Sequence, residues 1–196
     1  MVTGLRIVRP AWGTKALSVD ELVARARRLR LVLTDCDGVL TDGTVYVSEH
    51  GEELKRFSLR DGMGVERLRE AGIGTAIVTR ERSPIVARRA EKLRLPHLFD
   101  GVLDKAAELP RILAAAGCGK DEVAFIGDDL NDLGLLDEVG RQGLTAAPFD
   151  ALEPVAVAVH HVCRGRGGEG AFRELAEWIL GLRGVGKRDD DGGEVA

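Results

Sequence analysis

Three short apolar runs, at 31–34, 73–78 and 123–126, each break off into polar residues and are separated by stretches of helix length. Such runs suit strands buried on both faces, and strands alternating with helices make a parallel sheet covered on both sides. Ser18 and Glu21 form a capping box that opens a helix through about residue 28. Residues 44–57 alternate and carry a turn signal at His50-Gly51, the pattern of a β-hairpin. Helices are predicted at 62–71, stopped by Gly72, and at 84–93, with a short strand near Val102. A helix at 105–116 ended by Gly117, a short helix at 133–139, a strand at 144–146 and a last helix at 171–182 complete the order. The expectation is a doubly wound, Rossmann-like α/β fold over 30–183, preceded by an extension with one helix at 1–29. A Gly- and Asp-rich tail at 184–196 is expected to be disordered.

Composition narrows the function. With 44% apolar residues in 196, the chain can bury a core without staples. A net charge of −4 argues against nucleic acid, which needs a basic surface. The cluster of Arg25, Arg27, Arg28 and Arg30 is expected to be a solvated helix face. Three cysteines without a C-x-x-C pair give neither a disulfide framework nor a zinc site, which fits a reducing cytoplasm. The first ten residues lack the apolar stretch of a secretion signal, and the apolar segment 155–159 is too short to cross a bilayer, so no membrane partner is expected.

The chemistry gathers where the apolar runs end: Asp35 and Asp37, then Thr79, then Asp128, Asp129 and Asp132. In a parallel α/β sheet those ends share one edge, the edge where ligands bind. Carboxylates crowded there repel one another unless a divalent cation sits among them, and oxygen-only ligands favour magnesium over zinc or copper.

The D-x-D-G-V-L-T-D-G stretch at 35–43, Thr79 after a strand, Lys105 opening a helix and G-D-D-L-N-D at 127–132 resemble the four motifs of haloacid dehalogenase superfamily phosphatases. The resemblance implies that Asp35 attacks phosphorus and that Asp37 protonates the leaving alcohol and then activates water. It implies that Thr79 and Lys105 hold the phosphoryl oxygens. Mg2+ would be held by Asp35, Asp128 and the main-chain carbonyl of Asp37, with Asp129 and Asp132 as supporting partners. The spacing from Asp35 to Thr79, and from Thr79 to Lys105, leaves no room for a cap domain. Capless relatives are homotetramers in which the hairpin packs between subunits and a neighbour helps cover the site.

Capless relatives act on the 8-phosphate of 3-deoxy-manno-octulosonate or on the 9-phosphates of nine-carbon keto-sugar acids. The octulosonate enzymes carry T-G-R after the second strand, whereas this chain has Thr79-Arg80-Glu81, with Arg80 in place of the glycine both relatives carry. Glu81, together with Arg89 and Lys92 on the next helix, resembles the nine-carbon type, in which these positions are substrate contacts and the helix pair is offered to a neighbouring subunit. The expected substrate is therefore a nononate or acylneuraminate 9-phosphate, with the octulosonate ester as the alternative. Two further alternatives are a non-catalytic assembly module like that of animal acylneuraminate cytidylyltransferases, and a promiscuous sugar-phosphate phosphatase. The stretch Arg166-Gly167-Gly168-Glu169-Gly170-Ala171 ahead of the last helix fits either an anion-binding helix N-terminus or a plain flexible entry.

Overall fold

The structure, a computed structural model, describes residues 16–185; the first fifteen residues and the tail from 186 lie outside the described residues. Six parallel strands form the central sheet in the order β5-β4-β1-β6-β7-β8. They are β1 (Leu31–Thr34), β4 (Gly74–Val78), β5 (His97–Phe99), β6 (Val123–Ile126), β7 (Leu144–Ala147) and β8 (His161–Val162). The antiparallel hairpin β2 (Thr41–Ser48) and β3 (Gly51–Phe57) stands apart as a two-stranded sheet.

Side chains of one strand point alternately to the two sheet faces, and each face has its own buried cluster. Val32, Ile77, Ala124 and Ile126 face a layer built by α1 (Val19–Arg28), α2 (Leu59–Glu70), α3 (Pro84–Lys92) and α7 (Ala171–Leu182). Leu31, Leu33, Val78 and Phe125 face α4 (Lys105–Ala116), α5 (Leu133–Gly140) and α6 (Glu153–Ala156). Helix α1 opens on the Ser18–Glu21 capping box and sends Leu22 and Ala26 into the first cluster. Of the basic cluster, Arg27, Arg28 and Arg30 are exposed as expected, while Arg25 is half-buried. Arg25 donates to the carbonyls of Gly140 and Gly143, Arg28 pairs with Asp121, and Arg30 reaches Gly117 O and Glu122.

Several boundaries differ from the sequence expectation. Helix α2 starts at Leu59, because the Ser58 hydroxyl accepts the amides of Arg60 and Asp61. Gly62 and Gly64 obscured that first turn. A Cβ on Gly62 would stand 3.0 Å from Arg89, and one on Gly64 would stand 3.0 Å from the Arg173 backbone, so both glycines serve close packing. The strand expected near Val102 is β5, five residues earlier at its start. The chain turns at Gly101 (φ +66°), and Val102 sits buried beyond it, its amide bonded to Thr79 O. The short α6 and the two-residue β8 carry no sequence signal of their own. No helix among the described residues is long and apolar enough to cross a membrane.

Candidate active site

The chain leaves β1 into Asp35, β4 into Thr79 and β6 into Gly127-Asp128, so three neighbouring strands deliver their polar ends to one edge. The order reverses about β1: β4 and β5 extend one way, β6 to β8 the other, which is the switch point where such sheets bind ligands. Register fixes side as well as depth. Cys36 follows the even-numbered side chains into the first cluster and is fully buried there, away from Asp35.

Lys105, the first residue of α4, is 1% exposed and stands between two carboxylates. Its Nζ lies 2.9 Å from Asp35 Oδ1 and 2.6 Å from Asp132 Oδ1. Burial disfavours its charge, but the charges of Asp35 and Asp132 and their hydrogen bonds outweigh this and raise its pKa, so it is an ammonium. Asp132 is fully buried and spends its second oxygen on the amides of Asp128 (2.9 Å) and Asp129 (3.3 Å). It therefore orients Lys105 and the β6 loop at once. Asp129 does not reach the lysine. It is exposed, and its carboxylate caps the turn at Leu130.

Asp35 Oδ1 also accepts the Cys36 amide at 2.7 Å, which leaves Oδ2 without a hydrogen bond among the described residues. Across from it, Asp128 Oδ1 is buried and has no partner. A buried orphan carboxylate oxygen is costly, and here oxygens of Asp35, Asp128 and Asp132 lie within 4.8 Å of one another. Burial pushes Asp35 up; Lys105 pulls it back and Asp132 raises it again. Burial, then Asp35 and Asp132, push Asp128 up to about 8. The donor set is all oxygen, anionic and under-satisfied, which fits Mg2+. Since both Asp132 oxygens are already bonded, Asp35 and Asp128 are the carboxylates with a free oxygen for it.

Gly38 holds the loop after Asp35 in the left-handed region, φ +85°, and a Cβ there would lie 2.0 Å from Asp128 Oδ2. Only glycine lets the loop come this close to that carboxylate. The glycine-rich segment backs the same loop: a Cβ on Gly167 would lie 1.9 Å from Gly38 O, and Gly168 N bonds Val39 O. The N-terminus of α7 is taken by Asp61 of α2, whose carboxylate accepts the amides of Gly170 and Arg173. The segment is thus neither an open anion site nor a flexible entry; it clamps the loop that carries Asp35.

Asp37 turns toward the hairpin. Lys55 Nζ lies 2.8 and 2.7 Å from its two oxygens, and the Thr41 hydroxyl donates at 3.2 Å. Nothing in the local pattern marks Lys55, since one lysine in an alternating polar strand looks like solvent-facing charge. Thr79 is buried at the end of β4, its amide on Phe99 O. Arg80 and Glu81 are exposed beside it, and Lys92 is exposed on α3. Arg89 is half-buried, donating to Ser58 O at 2.9 Å with its guanidinium 5.3 Å from the Phe57 ring. Among the described residues no contact joins Arg89 or Lys92 to Asp35, Thr79 or Lys105.

The chain is 40% identical over 161 residues to the 3-deoxy-D-manno-octulosonate 8-phosphate phosphatase KdsC of Yersinia pestis, covering 82% of this chain and 84% of that one. It belongs to the KdsC family of haloacid dehalogenase superfamily phosphatases. KdsC structures share the fold. That of Moraxella catarrhalis, solved with a magnesium ion, a phosphate ion and a KDO molecule, aligns with a TM-score of 0.79 and 32% identity, covering 85% of this chain and 94% of that one. The cobalt-bound Haemophilus influenzae enzyme aligns at 0.78 with 38% identity over 82% and 92%. No family model matches the chain. As a KdsC-type phosphoric monoester hydrolase it is an enzyme, which removes the non-catalytic assembly module.

Proposed function

We propose that this chain hydrolyses the phosphate monoester of a 2-keto-3-deoxy sugar acid through an aspartyl-phosphate on Asp35, with a preference for nine-carbon 9-phosphates. The observation that carries the chemistry is the buried Lys105 ammonium shared by Asp35 and Asp132 opposite the unpartnered Asp128 oxygen. Asp35 and Asp128, with the main-chain carbonyl of Asp37, would hold the cation, which when bound offsets charge repulsion between nucleophile and phosphate. Asp35, held in place by Cys36 N and Lys105, attacks phosphorus through a carboxylate oxygen as the ester P–O bond breaks. Asp37 gives its proton to the departing sugar oxygen. It then takes a proton from the water whose oxygen displaces Asp35 from phosphorus. Thr79 and Lys105 hold the phosphoryl oxygens through both displacements.

Substrate length rests on Glu81, exposed beside Thr79, where the octulosonate enzymes have T-G-R. A carboxylate there accepts hydrogen bonds from sugar hydroxyls, and Lys92 and Arg89, offered from a neighbouring subunit, supply positive charge for the sugar's own carboxylate. The octulosonate 8-phosphate is the second reading, favoured by the KdsC relatives. The hairpin exposes the apolar side chains Val45, Tyr46, Val47 and Leu54, which suit a second copy of the chain, so the working form is a cytoplasmic homotetramer with sites shared between subunits. Phosphate release from both esters, with and without magnesium, tests the substrate. Faster turnover of the eight-carbon ester excludes the Glu81 assignment, similar rates on hexose phosphates favour a promiscuous enzyme, and a monomer in sedimentation excludes the shared site.

A further inference from the structure

We propose that Lys55, on β3, is a positioning residue that fixes the Asp37 carboxylate for its two proton transfers, an inference that rests on the phosphatase chemistry above. The hairpin is inverted relative to an ordinary surface ribbon. Its Leu54 is 63% exposed, whereas the Lys55 side chain is only 4% exposed. Lysine is among the residues least often buried, and strands of this kind turn their charges to water. Here the ammonium is turned inward instead, onto both oxygens of Asp37 at 2.8 and 2.7 Å, with Glu52 Oε2 at 3.5 Å behind it.

The pair is itself anchored. Glu52 Oε1 accepts the Ser83 hydroxyl, and Ser83 Oγ also accepts the Val86 amide as the cap of α3. A line of contacts, Asp37–Lys55–Glu52–Ser83, therefore ties the proton donor to the start of the helix that follows Glu81. A lone aspartate on a loop samples several rotamers, and proton transfer needs its oxygen within hydrogen-bond reach of the leaving group and then of water. The two Lys55 bonds, with Thr41 at 3.2 Å, remove that freedom.

The test compares wild type, Lys55→Met and Lys55→Arg, all with magnesium, on 2-keto-3-deoxynononate 9-phosphate and on p-nitrophenyl phosphate. An alkoxide needs a proton to leave, whereas p-nitrophenolate does not. Lys55→Met is expected to lose about 10- to 100-fold in kcat on the sugar ester with KM little changed, a part of what general acid–base catalysis supplies. On the aryl ester its first turnover should survive, giving a burst of nitrophenolate followed by slow release of phosphate. Lys55→Arg keeps the buried charge, and with it the hairpin, and should recover most of the sugar-ester rate. Equal first-turnover losses on the two esters, an unchanged kcat in Lys55→Met, or a folded Lys55→Arg no better than Lys55→Met would each overturn the inference. Wild type releasing phosphate from neither ester would instead defeat the phosphatase chemistry beneath it.

Discussion

Gly38→Ala removes no ligand and no charge, yet it should break the cation site. At φ +85° an alanine pays about 1–2 kcal/mol for the left-handed backbone. Its Cβ would stand 2.0 Å from Asp128 Oδ2 and 2.5 Å from Cγ, so one partner must move. The loop cannot retreat, because Gly167 packs against the carbonyl of Gly38. The Asp128 side chain is the mobile partner, and turning it aside takes its free oxygen from the cation. Loss of a mere orienting partner costs about 10- to 100-fold in metal affinity, so displacing the ligand itself should cost at least that. Gly72→Ala supplies the control: φ there is +77° and nothing lies within 4 Å of the added Cβ. Both variants should melt several degrees below wild type, at roughly 2–4 °C for each kcal/mol in a domain of this size. Only Gly38→Ala should need far more magnesium, read by calorimetric titration and by phosphate release against magnesium concentration. Wild-type magnesium dependence in a folded Gly38→Ala would show that Asp128 does not serve the cation.

Lys105→Met leaves the buried Asp35 and Asp132 carboxylates without their cation and should cost about 3–5 kcal/mol in urea unfolding, besides activity; a cost below about 1 kcal/mol would contradict the ion network. Asp128 is raised to about 8, so it carries a proton that magnesium must displace, and magnesium affinity should strengthen by about 10- to 100-fold from pH 6 to pH 8. The same raised carboxyl stabilises the metal-free fold only while protonated. Its stability should therefore fall as pH climbs from the unfolded value near 4 through about 8, and a metal-free melting point that rises over that range would be the wrong sign. Arg89→Ala should lower stability by about 1–2 kcal/mol through the lost Ser58 bond and Phe57 contact, whereas the exposed Lys92→Ala should not. If both side chains meet substrate, both variants raise KM on the sugar ester.

The sheet and the reactive edge were legible because burial on both faces leaves a strong mark: apolar runs that end abruptly at Asp35, Thr79 and Asp128. Lys105 was legible from its place at a helix start, and Gly117 from its left-handed cap at φ +61°. What stayed hidden depends on partners distant in sequence. Asp61 falls just before the helix expected from residue 62, and only the packing of α2 on α7 reveals that it caps the later helix. That contact also explains why the glycine-rich stretch looked like an anion site: the geometry is that of one, and the anion is internal. Lys55 was invisible for a related reason, since a hairpin outside the main sheet can turn either face inward, and alternation alone does not say which.

Acid quench during turnover, followed by proteolysis and mass spectrometry, reads the covalent step itself. With magnesium and p-nitrophenyl phosphate, phosphate should be found on the peptide that contains Asp35, should build up in Asp37→Asn, and should vanish with turnover in Asp35→Asn. Steady turnover in Asp35→Asn, or phosphate release with no labelled peptide in wild type or Asp37→Asn, would show that phosphorus never passes through Asp35.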